Sequence, residues 1–224
     1  MRALILLLFL AACGRPLTEN EMRFAAHVHG ADLDTAKVRL LNKAPVKSYT
    51  LRARKRPRVA CTERIYPEPQ TEFVTGAPSA VALFNKVWVN EDYYLEDYMP
   101  DYGDKLYLYQ ALFLAHELTH AWQWQNRKVT KYHPLKAARE HQTKDDPYLI
   151  DPDTDGDFLS YGYEQQGRIV EEYLCCSLLD PKAPRTSRLE AMLKEYFPLE
   201  KLPSKSVIIG WKDVQVKGIC RLKR

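Results

Sequence analysis

Apolar residues crowd most densely, with no Gly or Pro to interrupt them, at residues 106–125, LYLYQALFLAHELTHAWQWQ. Leu106, Leu108, Leu112, Phe113, Leu114, Leu118, Ala121, Trp122 and Trp124 leave this stretch apolar almost all round, which predicts a helix enclosed by a core rather than laid upon one. Residues 163–179, YEQQGRIVEEYLCCSLL, predict a second helix in spite of Gly167. Leu189, Met192, Leu193 and Tyr196 space a further amphipathic helix that stops before Pro198. Near the N-terminus, Thr18, Glu19, Asn20 and Glu21 have the spacing of a capping box and open a helix that runs to about residue 28. Strand patterns are short: 38–41, then 81–84 and 86–90 as one strand or a tight pair, and 207–209. Between 126 and 157 the chain turns polar, a connection long enough to form a lid or a wall. The sum is an α+β domain in which a short β-sheet packs on the central helix and a second helix lies beside it.

At 224 residues, 46% of them hydrophobic, the chain can bury one sizeable core, and without an internal repeat residues 18–224 read as a single domain. A net charge of +4 is too mild to argue for nucleic acid, and no basic-aromatic recognition motif accompanies it. The opening residues, MRALILLLFLAAC, join one Arg to an apolar run too short to span a bilayer stably, which suits a secretory signal. Leu10, Ala11, Ala12 and Cys13 resemble a bacterial lipobox. That predicts removal of a signal peptide, 1–12, and lipidation of Cys13 ahead of a short linker, 13–17, so that a lipid anchor joins the protein to a membrane. Gly14 stands where an aspartate would retain a lipoprotein at the inner membrane, so the expected address is the periplasmic face of the outer membrane. An exported chain meets oxidising conditions, and Cys61, Cys175, Cys176 and Cys220 are expected in disulfides. Cys175 and Cys176, adjacent on a helix, are expected to pair with Cys61 and Cys220 rather than with each other, in an order left open. The dense basic run 52–58, RARKRPR, reads as a solvated loop or edge strand, which Pro57 favours, or as a contact with anionic lipid or envelope polymer.

The candidate chemistry lies inside the central helix, where His116, Glu117 and His120 stand in the order HExxH. Histidines four residues apart lie on one helical face and can aim two imidazole nitrogens at a single point, an arrangement that suits zinc. Glu117 flanks that point, where a carboxylate can take a proton from water. Burial sharpens the reading, because an uncompensated buried charge is strongly unfavourable and a cation resolves the conflict. A third ligand is expected from 163–179, but Glu164, Glu171 and Glu172 lie on nearly one side of that helix, so periodicity does not choose among them. Tyr161, Tyr163, His133 and His141 are candidate donors to an oxyanion. His27 and His29, two apart, face different ways at a helix end and read as surface or terminal residues rather than ligands. Asp151, Asp153 and Asp155, followed by Gly156 and Asp157, imitate the start of a calcium (Ca2+) loop. The place of its bidentate Glu is taken by Gly162, so an acidic turn is the competing reading.

With these residues placed, the chain resembles the compact zinc metallopeptidases labelled Vgr-related, which accompany Rhs and secretion-system genes. The matching segments are RPLTENEMRFAAHVHGADLDTAKVRL, KVWVNEDYYLEDY, QALFLAHELTHAWQWQ and SYGYEQQGRIVEEY, which span most of residues 15–175. Many zincins share the helix motif, whereas EQQ and an acidic helical stretch after HELTHAWQ are more specific. The resemblance implies a small zincin-like fold, Zn2+ as cofactor, and Glu164 as third ligand in an ExxA-like pattern, with Glu171 as the alternative. Here Gly167 replaces the Ala, and Arg168 stands where some zincins have an Asp that supports a histidine ligand. An edge strand beside the HExxH helix that pairs with extended substrate is implied as well. The expected activity is hydrolysis of a peptide or protein by metal-activated water, in an enzyme anchored in the bacterial envelope. Two other functions suit the same residues: a lipoprotein that keeps zinc without turnover and binds a peptide or cell-wall partner, and a hydrolase of peptidoglycan stem peptides.

Overall fold

In the computed structural model, which describes residues 14–45, 48–52, 57–68 and 70–221, the long apolar run lies at the centre of the molecule. The expected signal peptide, Cys13 and residues 53–56 of the basic run lie outside the described residues. In chain order the elements are α1 (Glu19–His29), β1 (Arg39–Asn42), β2 (Tyr49–Arg52), α2 (Cys61–Ile65), β3 (Phe73–Gly76), β4 (Ala80–Leu83), β5 (Lys86–Val89) and β6 (Lys105–Tyr107). There follow α3 (Leu108–Gln125), α4 (Arg127–Thr130), α5 (Pro134–Thr143), α6 (Tyr163–Leu179), α7 (Pro184–Leu193) and β7 (Ser206–Ile208). The class is α+β, with small open sheets and no closed barrel among the described residues.

Helix α3 is the hub. Ala111, Leu114, Ala115, Leu118 and Ala121 are completely enclosed, because α6 packs along one side of α3 while α1 and β4 cover others. Two residues expected to begin this helix, Leu106 and Tyr107, instead form β6, whose parallel pairing with β7 satisfies their backbone groups before the helix starts. The polar stretch after α3 is not irregular throughout; it holds α4 and α5, the latter with Pro134 in its first turn and no buried residue. Strand β5 lies between β1, to which it is parallel, and β4, to which it is antiparallel, so β4 keeps one edge free among the described residues. The two strand patterns at 81–90 are therefore a hairpin, turned through Phe84 in the left-handed region (φ 59°).

The capping box at Thr18 forms, and its Glu21 does more than cap. That buried carboxylate accepts from Thr18 N (2.8 Å), Tyr98 N (2.9 Å) and both terminal nitrogens of Arg15 (2.7 and 2.8 Å), which ties the N-terminal segment to the loop ahead of α3. On α6, adjacent cysteines take separate partners: Cys61–Cys175 fastens α2, and Cys176–Cys220 fastens the C-terminal segment. Each bridge closes a long loop and contributes on the order of 2–4 kcal/mol.

His29 departs from its expected place. It is fully buried behind α3, edge-on to Phe197, and its Nε2 donates to Thr119 Oγ1 at 3.0 Å, since that hydroxyl is itself donating to Ala115 O. Nδ1 has no partner among the described residues, so a second proton there would be a buried, unsatisfied charge; burial pulls the pKa down from 6.5 to about 3. The folded state therefore refuses a proton that the unfolded chain accepts below about pH 6.5, and stability falls with pH by ~1.4 kcal/mol per unit between the two values. Urea titrations at pH 7.5 and 4.5 are expected to show His29 alone accounting for about 2–3 kcal/mol of acid loss, which His29→Gln removes. An unchanged acid loss in His29→Gln would place the sensitivity elsewhere.

Candidate metal centre

Spacing on α3 and a crossing by α6 build the centre together. His116 and His120, one turn apart, present ring centroids 4.8 Å apart and Nε2 atoms 3.1 Å apart. From the first turn of α6, Glu164 brings Oε2 to 3.2 Å from His116 Nε2 and 3.3 Å from His120 Nε2. All three residues are buried, and their ligand atoms lie within 4.8 Å of one another, so the group could hold a metal ion.

The partners of the outer ring nitrogens decide what those inner atoms are. Glu171 Oε1 accepts from His116 Nδ1 at 2.5 Å. Gln123 donates its Nε2 to Tyr163 O and to Gln166 Oε1, which leaves its Oε1 to accept from His120 Nδ1 at 2.9 Å. Gln166 is itself held in that orientation by donating to Tyr161 O at 2.8 Å. With both Nδ1 atoms assigned as donors by this network, both Nε2 atoms carry lone pairs when the rings are neutral, and they converge with a carboxylate oxygen. Three such acceptors in a buried site repel each other until a cation or protons fill the gap, and two imidazoles with one carboxylate are a donor set that suits zinc with a position left open.

The electrostatics show how strongly the gap draws positive charge, as protons where no cation fills it. Burial raises the cost of charge on Glu164, but His120, His116 and His141 outweigh it and hold the carboxyl well below its usual range. Burial likewise opposes a proton on His116, and the carboxylates of Glu164 and Glu171 overcome it, lifting that pKa to about 10. Glu117 differs: burial pushes its pKa up, and its carboxylate has no hydrogen-bond partner among the described residues. Gly167 makes the close crossing feasible, since a Cβ there would come within 2.7 Å of the His116 ring.

Of the three glutamates that periodicity left undecided, only Glu164 reaches the inner nitrogens. Glu171 orients His116 from outside, and Glu172 turns away to accept from Cys61 N (2.9 Å), Thr62 N (3.2 Å) and Arg185 (3.0 Å). Arg168 binds Glu171 and donates to Thr62 Oγ1 at 2.6 Å. Among the four candidate oxyanion donors, His141 lines the cleft and donates to Glu164 Oε1 at 2.9 Å. Tyr163 spends its hydroxyl on Lys131 O (2.7 Å), Tyr161 turns toward Thr154 and Gly156, and His133 caps α5 by accepting from Leu135 N (3.2 Å). The calcium reading is corrected: the carboxylates of Asp151, Asp153 and Asp155 do not converge. Asp153 pairs instead with Arg188 (2.9 Å), Asp151 accepts from Asp153 N (2.9 Å), and Asp157 caps a 3-10 turn and accepts from Tyr196 (2.7 Å), so the stretch is an acidic turn. Two residues escaped the sequence reading. Gln123, three positions after His120, was findable from helical spacing. Tyr132, which lines the cleft, follows a left-handed turn at Lys131 that no pattern signals.

The centre forms the floor of a cleft of about 910 Å3. Its walls are mostly uncharged: Pro78, Ala80, Val81, Ala82 and Leu83 at β4, Ala137 and Ala138 from α5, and the aromatic rings of Tyr66, Tyr109 and Phe113. In this fold the chain is similar to a solved structure described as the effector domain of Pseudomonas aeruginosa VgrG2b. The two are 22% identical, the TM-score is 0.50, and the match covers 84% of this chain and 86% of that chain. At that identity the likeness concerns the fold. No family model and no curated protein matches the chain.

Proposed function

We propose that the protein is a zinc-dependent peptidase of the glutamate-type zincin kind. The observation that carries this reading is the convergence of His116 Nε2, His120 Nε2 and Glu164 Oε2 beside the unpartnered carboxylate of Glu117, on the floor of an open cleft. Zinc held there would polarise a substrate carbonyl and acidify water. Glu117 takes the proton of the attacking water and delivers it to the leaving amine, a role its burial-raised pKa favours. Tyr132, which lines the cleft, supplies a donor for the developing oxyanion, while His141 keeps its Nε2–H on Glu164 Oε1. The free edge of β4 offers backbone hydrogen bonds to an extended peptide.

Wall chemistry favours protein segments over peptidoglycan stem peptides, which carry free carboxylates. The one Lys or Arg lining the cleft among the described residues is Arg168, and its guanidinium is already engaged by Glu171 and Thr62. Two disulfides suit an exported protein, in keeping with an envelope lipoprotein anchored through Cys13. Metal analysis of the purified chain, followed by incubation with unfolded casein and with purified peptidoglycan, tests the reading. Near-equimolar zinc is expected, with cleavage of casein that a chelator stops and added zinc restores. Folded, zinc-loaded protein that cleaves neither polymer would leave a binding lipoprotein in place of the peptidase.

A further inference from the structure

Behind His116 the support extends past its own carboxylate partner. Glu171 accepts from His116 with one oxygen and from Arg168 with the other, and Arg168 reaches on to Thr62 Oγ1 on α2. Being buried, Arg168 has little water with which to replace a lost partner, and its Nε already lacks one among the described residues. Helix α2 is a single short turn without a capping side chain, so its own hydrogen bonds do little to hold it. It is placed on α6 by the Cys61–Cys175 disulfide and by Glu172, which accepts from the amides of Cys61 and Thr62. A shift of α2 would carry Thr62 off Arg168, release Arg168 from its pose on Glu171, and free the His116 ring to turn.

From this series of contacts we infer that Arg168 is a positioning residue for His116, and that the Cys61–Cys175 disulfide, acting through Thr62, sets how tightly the centre holds zinc. The inference rests on the metal reading proposed above. It also gives Arg168 a task of its own: Glu171, one turn later on α6, supports His116, and Arg168 clamps it. The Cys176–Cys220 bridge also anchors α6 but has no hydrogen bond to Arg168 or Glu171 among the described residues; its Cys176 Sγ lies 3.6 Å from Glu172 Oε1, which makes its removal the weaker perturbation of the same support.

Zinc affinity is measured by competition with a chromophoric chelator on the wild type, Thr62→Val, Arg168→Met, the pair Cys61→Ala and Cys175→Ala, and the pair Cys176→Ala and Cys220→Ala. Circular dichroism establishes that each is folded at the assay temperature, and the visible spectrum of the cobalt-substituted protein reports the geometry at the ligands. Loss of support behind a metal-bound histidine typically weakens metal binding by about 10–100-fold. That loss, with an altered cobalt spectrum, is expected for Thr62→Val, Arg168→Met and the first cysteine pair, and a clearly smaller loss for the second pair. Thr62→Val keeps both disulfides and the shape of the side chain, so it reads the effect even if a cysteine variant unfolds. Wild-type affinity in folded Thr62→Val and Arg168→Met would overturn the inference while leaving the metal centre standing, as would equal weakening by both cysteine pairs. A wild type that binds no zinc would remove the metal reading and this inference together.

Discussion

Glu117→Gln is expected to lower kcat/KM on an unfolded protein substrate by about a thousandfold, within the 10²–10⁴ range of general base catalysis, while zinc content and fold stay unchanged. The expectation rests on where this carboxylate stands. It is 8% exposed, flanked by both histidines, and, among the described residues, without a hydrogen bond that a glutamine would break. Glutamine has the same shape and no longer accepts a proton, so the substitution removes one chemical capacity and little else. A thousandfold loss corresponds to ~4 kcal/mol of transition-state stabilisation, far above what a merely structural change at such a site would produce with binding intact. The assay pairs kinetics on a fluorogenic peptide with metal stoichiometry. Activity within tenfold of wild type would take the base role from Glu117, and loss of zinc would make it a ligand.

The second large effect concerns stability. Glu172→Gln is expected to cost about 3–5 kcal/mol, because it strips the nearer and fully buried counter-charge from a buried cation and leaves it Asp153, 3.8 Å from its Nε and partly exposed. Arg185 is 2% exposed; its NH1 donates to Glu172 (3.0 Å) and to Val59 O (2.8 Å), and its NH2 has no hydrogen-bond partner among the described residues. A glutamine amide can present one oxygen to the donors now shared between both carboxylate oxygens, and its NH2 would face donors from Thr62 or Arg185. The loss appears as a fall of roughly 10 °C in Tm, or as an equivalent drop in urea midpoint. Zinc affinity is expected to fall as well, since Glu172 helps to hold α2, and with it Thr62, against Arg168. A cost below about 1 kcal/mol would mean that water reaches Arg185 and the pair is not sealed.

These two glutamates show what could be read in advance. Helical spacing placed His116, Glu117 and His120 correctly relative to one another, because neighbours on one helix are related by a fixed rotation and rise. The apolar run identified α3 as the enclosed helix, and 163–179 gave α6 its observed bounds. Spacing along α6 could not separate Glu164, Glu171 and Glu172, since all three lie on nearly one side and differ in what stands opposite. Across the gap, Glu164 meets Nε2 of both histidines, Glu171 meets Nδ1 of one, and Glu172 meets α2 and Arg185. His29 illustrates the same limit: its burial is set by Thr119 and Phe197, which lie far along the chain.

By itself, then, the sequence determined α1, α3, α6 and α7 and the strand patterns of β1, β4, β5 and β7, the enclosed helix, the two imidazoles on one face with a carboxylate beside them, and that the two adjacent cysteines would seek partners elsewhere. Only the tertiary structure decided which glutamate closes the centre, which cysteine pairs with which, that Asp151, Asp153 and Asp155 form a turn rather than a calcium site, and that β4 borders the cleft with a free edge. The physical reason is range. Relations within a helix follow from backbone geometry common to all residues, whereas relations between helices depend on how α6 crosses α3, a crossing set by packing of the whole core and made close by the missing side chain of Gly167.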